Sequence, residues 1–148
     1  MLATQREDIT IREMQPEDVV GYIRSVKQPE AIAKAQIANL KKFLRERDET
    51  DDFFFVILYK GARVGAIKIA YTGEYTPDPE DTGFETDGKM YIMIPSYEKA
   101  QKIASKVFEL IVDYWRETGF VDVLAVPRNK NGETCWEPLS KEPVHKEN

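Results

Sequence analysis

Apolar positions along the chain recur in two rhythms. "DITIRE" (Asp8 to Glu13) alternates apolar and polar residues, as a half-buried strand does. "QPEDVVGYIRSV" follows, with Pro16 at a first helical position and acids in the first turn, both signals of a helix start. "PEAIAKAQIANLKKFLRER" then places Ala33, Ile37, Leu40 and Leu44 on one face at helical spacing. "DFFFVILY" and "VGAIKIAY" read as strands, with "KGAR" between them as a hairpin signal. "GKMYIMI" reads as a fourth strand. "YEKAQKIASKVFELIVDYWRE" is a long amphipathic helix, with Ala100, Ile103, Ala104, Val107, Ile111 and Tyr114 in register and Gly119 at its end. "FVDVLAV" reads as a fifth strand and "NKNGETCWEPL" as a last short helix before a polar tail over 140–148. The expected order is β-α-α-β-β-β-α-β-α, an α/β fold in one domain over 1–148.

Composition narrows the function classes. Hydrophobic residues make up 42% of 148 residues, enough for a core. The net charge of −5 and pI near 5.1 argue against a nucleic-acid binder, which normally shows a basic face. Cys135 stands alone, so no internal disulfide is expected. His145 is the single histidine, so neither a His-based triad nor a metal site is expected. No apolar run reaches membrane-spanning length and "MLATQREDIT" has no signal-peptide pattern, so the expected location is the cytoplasm, without membrane partners.

Two stretches carry charge in an uneven way. The segment from Thr72 to Gly88 holds six acids and no Lys or Arg; without them the chain has 20 acidic against 21 basic residues. It reads either as a solvated connection or as an electrostatic collar for a cationic substrate. At "MYIMIPSYEKAQKIASKVF" a strand runs into the long helix, a junction whose outward amides suit phosphate. The glycines that usually let a backbone approach the anion are missing there. Lys99, Lys102 and Lys106 read either as phosphate-facing cations or as the solvated face of the helix.

From Ile9 to Leu139 the element order resembles the GNAT superfamily of acyl-CoA-dependent N-acyltransferases. "FFFVILYKGARVGAIKI" is similar to its central hairpin. "IMIPSYEKAQKIASKVFELIVDYWRETGF" is similar to its strand, "P-x-Y" and pyrophosphate loop, with Lys99, Lys102 and Ala104 at the loop's three marked positions. "NKNGETCWEPLSK" resembles its terminal motif, with Trp136 where a tyrosine usually stands. Three departures accompany the match: Lys102 replaces the central glycine, Trp136 the tyrosine that often serves as general acid, and only nine residues follow Leu139, too few for a closing pair of strands.

The resemblance implies a mixed central sheet flanked by helices and transfer of an acyl group, most simply acetyl from acetyl-CoA or another acyl-CoA, to a primary amine. That amine belongs to a small molecule or a protein, and the acidic segment suggests a cationic one. The alternative is a GNAT-like acidic binding or regulatory module without catalysis. By the same resemblance the coenzyme meets Met93 and Ile94 on the fourth strand and Lys99, Lys102, Ile103 and Ala104 at the helix start. Asn129 and Trp136 complete that set. Glu85 is the expected base acting through water, and Tyr91 a hydrogen-bond donor on the side of Met93. The short C-terminus suggests an uncovered sheet edge and hence a homodimer.

Overall fold

The computed structural model describes residues 3–25, 27–47, 52–77, 85–121, 123–130 and 133–139. Their elements are β1 (Ala3–Arg6), β2 (Ile9–Glu13), a 3₁₀ turn (Pro16–Asp18), α1 (Val19–Arg24), α2 (Glu30–Glu46), β3 (Phe53–Tyr59), β4 (Ala62–Pro77), β5 (Glu85–Met93), α3 (Tyr97–Thr118), β6 (Leu124–Lys130) and β7 (Glu133–Pro138). All seven strands form one sheet in sequence order. Neighbours are antiparallel except β5 and β6, which α3 joins in parallel. This is the expected mixed sheet flanked by helices.

Strand alternation sorts side chains to two faces. Phe53, Phe55 and Ile57 of β3, Ile67 and Ile69 of β4 and Met90 of β5 enter the main core. There they meet Ile103, Val107, Leu110, Ile111, Tyr114 and Trp115 of α3. The intervening residues Phe54, Ala66 and Met93 face a smaller cluster built from Met14, Val19 and the inner sides of α1 and α2. The long helix closes as its sequence requires: Gly119 takes φ 63°, a conformation that costs a residue with Cβ more, and donates its N–H to the Trp115 carbonyl at 2.7 Å. Trp115, fully buried, satisfies its indole N–H on the Val121 carbonyl at 2.7 Å.

Two expectations need correction, and one strand was not expected. The segment "NKNGETCWEPL" is not a helix: β6 continues to Lys130 and pairs with β7, Asn129 opposite Thr134 and Pro127 opposite Trp136. The pair Lys130↔Glu133 leaves "Asn-Gly" between the strands, a strong hairpin signal that outweighs the helical reading. β7 is therefore the last strand of the sheet among the described residues. The acidic connection is also shorter than its composition suggests, because β4 runs to Pro77 and β5 starts at Glu85, with Thr76↔Thr86 and Pro77↔Glu85 paired. Finally, β1 precedes the first expected strand and pairs with it, Thr4 opposite Ile11. Among the described residues no helix is long and apolar enough to cross a membrane.

Candidate functional site

The parallel pair β5–β6 is joined in register at Gly88↔Leu124 and Lys89↔Ala125. Both strands run on, β5 to Met93 and β6 to Lys130, while past Lys89 the register of β5 continues with β4 alone, from Met90↔Ile69 to Met93↔Ala66. The sheet thus parts between β5 and β6 on the side where β5 leads into α3. Gly65 lets the end of β5 lie close against β4. A Cβ there would overlap the Met93 carbonyl oxygen and come within 3.0–3.2 Å of Ile94 atoms.

At the same end of β5 lies a cavity of about 1140 Å³ between the sheet and the α1–α2 pair. Tyr22 and Ile23 of α1 and Leu40 and Phe43 of α2 line it on the helical side. Phe54, Val56, Gly65 and Lys68 form its sheet floor, and Ile92, Met93, Ile94, Pro95, Ser96 and Lys99 lead from β5 to the start of α3. Phe43 and Phe54 meet edge to face, 5.7 Å between ring centres, which stiffens the apolar end.

The helix starts at the expected residue, ahead of most of the expected phosphate-facing positions. α3 begins at Tyr97, capped by the Ser96 hydroxyl, which accepts from the Lys99 N–H at 3.3 Å. The Ala100 N–H already bonds to the Ser96 carbonyl at 2.8 Å. By position, the amides of Lys102, Ile103 and Ala104 belong to the regular helical ladder. The amides of the first turn, beside Ser96, are the outward-facing ones. Of the expected coenzyme residues, the structure brings Met93, Ile94 and Lys99 to the cavity. Lys102 is exposed on the helix, Ile103 is buried in the main core and Ala104 is half-buried. Asn129 lies on β6 and Trp136 on β7; their side chains fall outside the described residues.

Of the expected catalytic pair, Tyr91 stands opposite Lys68 on β5, is 39% exposed and is not among the cavity-lining residues. Glu85 starts β5, eight residues and about 25 Å of extended strand from Met93. Its side chain also falls outside the described residues.

Two features of the site were not anticipated. The Tyr22 hydroxyl donates to the Met93 sulfur at 3.6 Å, and burial raises its pKa above the ordinary tyrosine value. The hydroxyl therefore stays protonated at neutral pH, beside the end of β5. The second is Asp18, fully buried at the cavity wall. Its Oδ2 accepts from Arg12 Nη1 at 2.7 Å and from the Gln15 N–H at 2.9 Å, and its Oδ1 from Arg12 Nη2 at 3.0 Å and Arg63 Nε at 2.7 Å. Burial alone would raise the Asp18 pKa. Hydrogen bonds from Arg12, the Gln15 amide and Arg63 outweigh it and hold the pKa at about 2. No spacing motif marks either residue; Tyr22 lies in a short helical stretch and Asp18 in "QPED", where the acid looks like a first-turn helix acid only.

No protein-family model matches the chain, and no curated protein matches it by sequence. Solved structures do match. The ribosomal-protein-S5-alanine acetyltransferase from Vibrio fischeri superimposes with a TM-score of 0.62 at 13% identity, over 90% of this chain and 77% of that chain. RimL, the ribosomal L7/L12 alpha-N-protein acetyltransferase in complex with coenzyme A, gives 0.61 at 8% identity over 85% and 74%. A chimera of the spermidine N-acetyltransferase SpeG from Vibrio cholerae gives 0.59 at 11% identity over 83% and 72%. At these identities the likeness is one of fold, and the chain has the fold of the GNAT acetyltransferases.

Proposed function

We propose that the chain is an acyl-CoA-dependent N-acyltransferase, with acetyl-CoA as the simplest donor and an amine as acceptor. One observation carries the reading: the sheet parts between β5 and β6 where β5 leads into the capped start of α3, and a large cavity is lined by that same end of β5, Ile92 and Met93, and by Ser96 and Lys99. A parted parallel pair offers backbone groups to an extended, strand-like ligand arm. The helix start and Lys99 offer amides and a cation to a diphosphate. The residues present therefore suit the coenzyme. The shared fold with N-acetyltransferases, one of them in complex with coenzyme A, supports the same reading.

A thioester supplies an activated carbonyl, and transfer then rests mainly on positioning. The amine nitrogen forms the new C–N bond, the C–S bond breaks, the proton lost by nitrogen passes to water, and the sulfur leaves as a thiolate that takes a proton from water afterwards. In this reading the β5 backbone at Met93 orients the thioester. Tyr22, protonated and next to Met93, donates a hydrogen bond to the departing sulfur. Thiols are acidic enough, with a pKa of roughly 8.5, that a hydrogen bond suffices without full proton transfer. The apolar walls of Tyr22, Phe43, Phe54 and Val56 keep water away from the thioester.

One observation favours a second reading, coenzyme binding without transfer. Among the described residues lining the cavity, Asp18 is the one carboxylate, and its two arginines engage it, so it is no base. Under the transferase reading the amine must arrive neutral or lose its proton to water.

Thermal melting with millimolar CoA, combined with thiol release from acetyl-CoA across a panel of amines, separates these readings. A ligand that binds only the folded chain raises its melting temperature. Stabilisation together with turnover is expected. Stabilisation without turnover supports the binding module, and the absence of both overturns the coenzyme reading.

A further inference from the structure

Resting on the transferase reading, we infer that the acceptor is an amine that also carries a carboxylate and an apolar body, such as an apolar amino acid or a peptide ending in one, and that Arg63 recognises the carboxylate.

The charge of the cavity wall leads to this class. Its charged lining residues are Arg63, Lys99 and Lys68, the last 3.9 Å from the Asp52 carboxylate, against Asp18 alone. Every oxygen of Asp18 is already used, by Arg12, Arg63 and the Gln15 amide. The Arg12–Asp18–Arg63 group keeps one net positive charge. A polyamine entering the cavity would meet cations and, among the described lining residues, no carboxylate open to it. The side chains of the acidic segment that suggested a cationic acceptor fall outside the described residues, so this balance is that of the described cavity wall. The segment begins at Thr72, nine residues and about 30 Å of extended strand along β4 from Arg63.

The geometry of Arg63 suits a second carboxylate. The guanidinium meets Asp18 through Nε at 2.7 Å and Nη2 at 2.6 Å, which lie on one edge of the plane. The other edge, formed by Nη1 and the second Nη2 hydrogen, bonds to none of the described residues, and the side chain is 46% exposed at the cavity. Asp18 thus fixes the plane of Arg63 in advance, the condition for two parallel N–H bonds to a carboxylate. Beyond Arg63 the wall is apolar, with Leu40, Phe43, Phe54 and Val56. An amine with a side chain of Leu or Phe size buries it there, while α2 contributes the neutral amides of Gln36 and Asn39. A longer acyl chain on the donor would use the same apolar wall but leave Arg63 without a partner, which separates the two occupants experimentally.

The test uses the full chain, acetyl-CoA and matched amines: L-phenylalanine against 2-phenylethylamine, L-leucine against isopentylamine, and spermidine. Thiol release is measured with wild type and Arg63→Lys, with the CoA-induced melting shift recorded for each. Hydrogen bonds to charged groups contribute roughly 1.5–3 kcal/mol. The expected preference for the carboxylate-bearing member of each pair is therefore about 10- to 100-fold in kcat/KM, mostly through KM. Arg63→Lys should remove about 10-fold of it and leave the CoA shift in place. Where turnover is too slow, calorimetry with N-acetyl-L-phenylalanine and N-acetyl-2-phenylethylamine reads the same preference. Spermidine or a decarboxylated amine as the better acceptor, with the CoA shift intact, overturns the inference and leaves the transferase reading standing. So does an acyl-chain-length preference with equal use of both members of each pair. No CoA shift overturns the transferase reading, and the inference with it.

Discussion

Arg63 and Asp18 form one unit in the wall of the cavity: Nε and Nη2 of the arginine both lie on Oδ1 of the carboxylate, at 2.7 and 2.6 Å. Asp18 stands at the end of the 3₁₀ turn that leads into α1, Arg12 on β2 and Arg63 on β4. The ion group thus ties the turn that starts α1 to two strands, and with it the position of Tyr22.

A buried carboxylate so held makes stability depend on pH. Unfolded, Asp18 has an ordinary pKa near 3.8; folded, its pKa is about 2. Between those values the unfolded chain binds more protons, so stability falls as pH drops from about 4 toward 2 and is fully present above that window. The contribution is on the order of 2 kcal/mol. Asp18→Asn should remove this part of the pH dependence. It should also cost about 3 kcal/mol or more at neutral pH, because two guanidinium groups lose their counter-charge. Urea melts of both proteins from pH 2 to 7 check both statements.

Gly65→Ala should damage the proposed coenzyme site more than its size suggests. The added Cβ overlaps the Met93 carbonyl, which is backbone and has no flexible end to move aside. The end of β5 must shift, so the CoA-induced melting shift should shrink markedly, with about 1–3 kcal/mol lost in stability. An unchanged CoA response at reduced stability would separate Gly65 from the binding geometry.

Tyr22→Phe removes a hydroxyl beside Met93 and keeps the ring. If the hydroxyl assists the departing sulfur, kcat should fall about 10-fold or more with CoA affinity unchanged. A fall in binding alone would make Tyr22 a wall residue.

Tyr114→Phe should be neutral or stabilising by up to about 1 kcal/mol. The Tyr114 hydroxyl is buried in the main core with no hydrogen-bond partner among the described residues. The ring packs edge to face on Phe55 at 6.2 Å, and phenylalanine keeps that contact. Thermal melting of the variant is the check; a clear loss of stability would mean that water or a further group satisfies the hydroxyl.

Local pattern determined most of the fold. The period-3.6 face of α3 and the alternation of β3 and β4 depend on neighbours a few residues away, and each had one economical reading. The "KGAR" hairpin is equally local: Lys60 and Gly61 take φ of 53° and 83°, and the glycine accepts this at little cost. The helix expected over "NKNGETCWEPL" failed because two local signals competed, and pairing of Cys135 and Trp136 with β6 decided for the strand. The site was legible only in outline. Met93, Ile94 and Lys99 line one cavity together, since the strand–helix junction that holds them is continuous in sequence. Asp18 with Arg63, and Tyr22 with Met93, are 45 and 71 residues apart. No spacing rule reaches across that distance. Those pairs exist because the sheet register and the seating of α1 bring their backbones together, and burial then makes an unpartnered charge too costly, so that Asp18 and its arginines must meet.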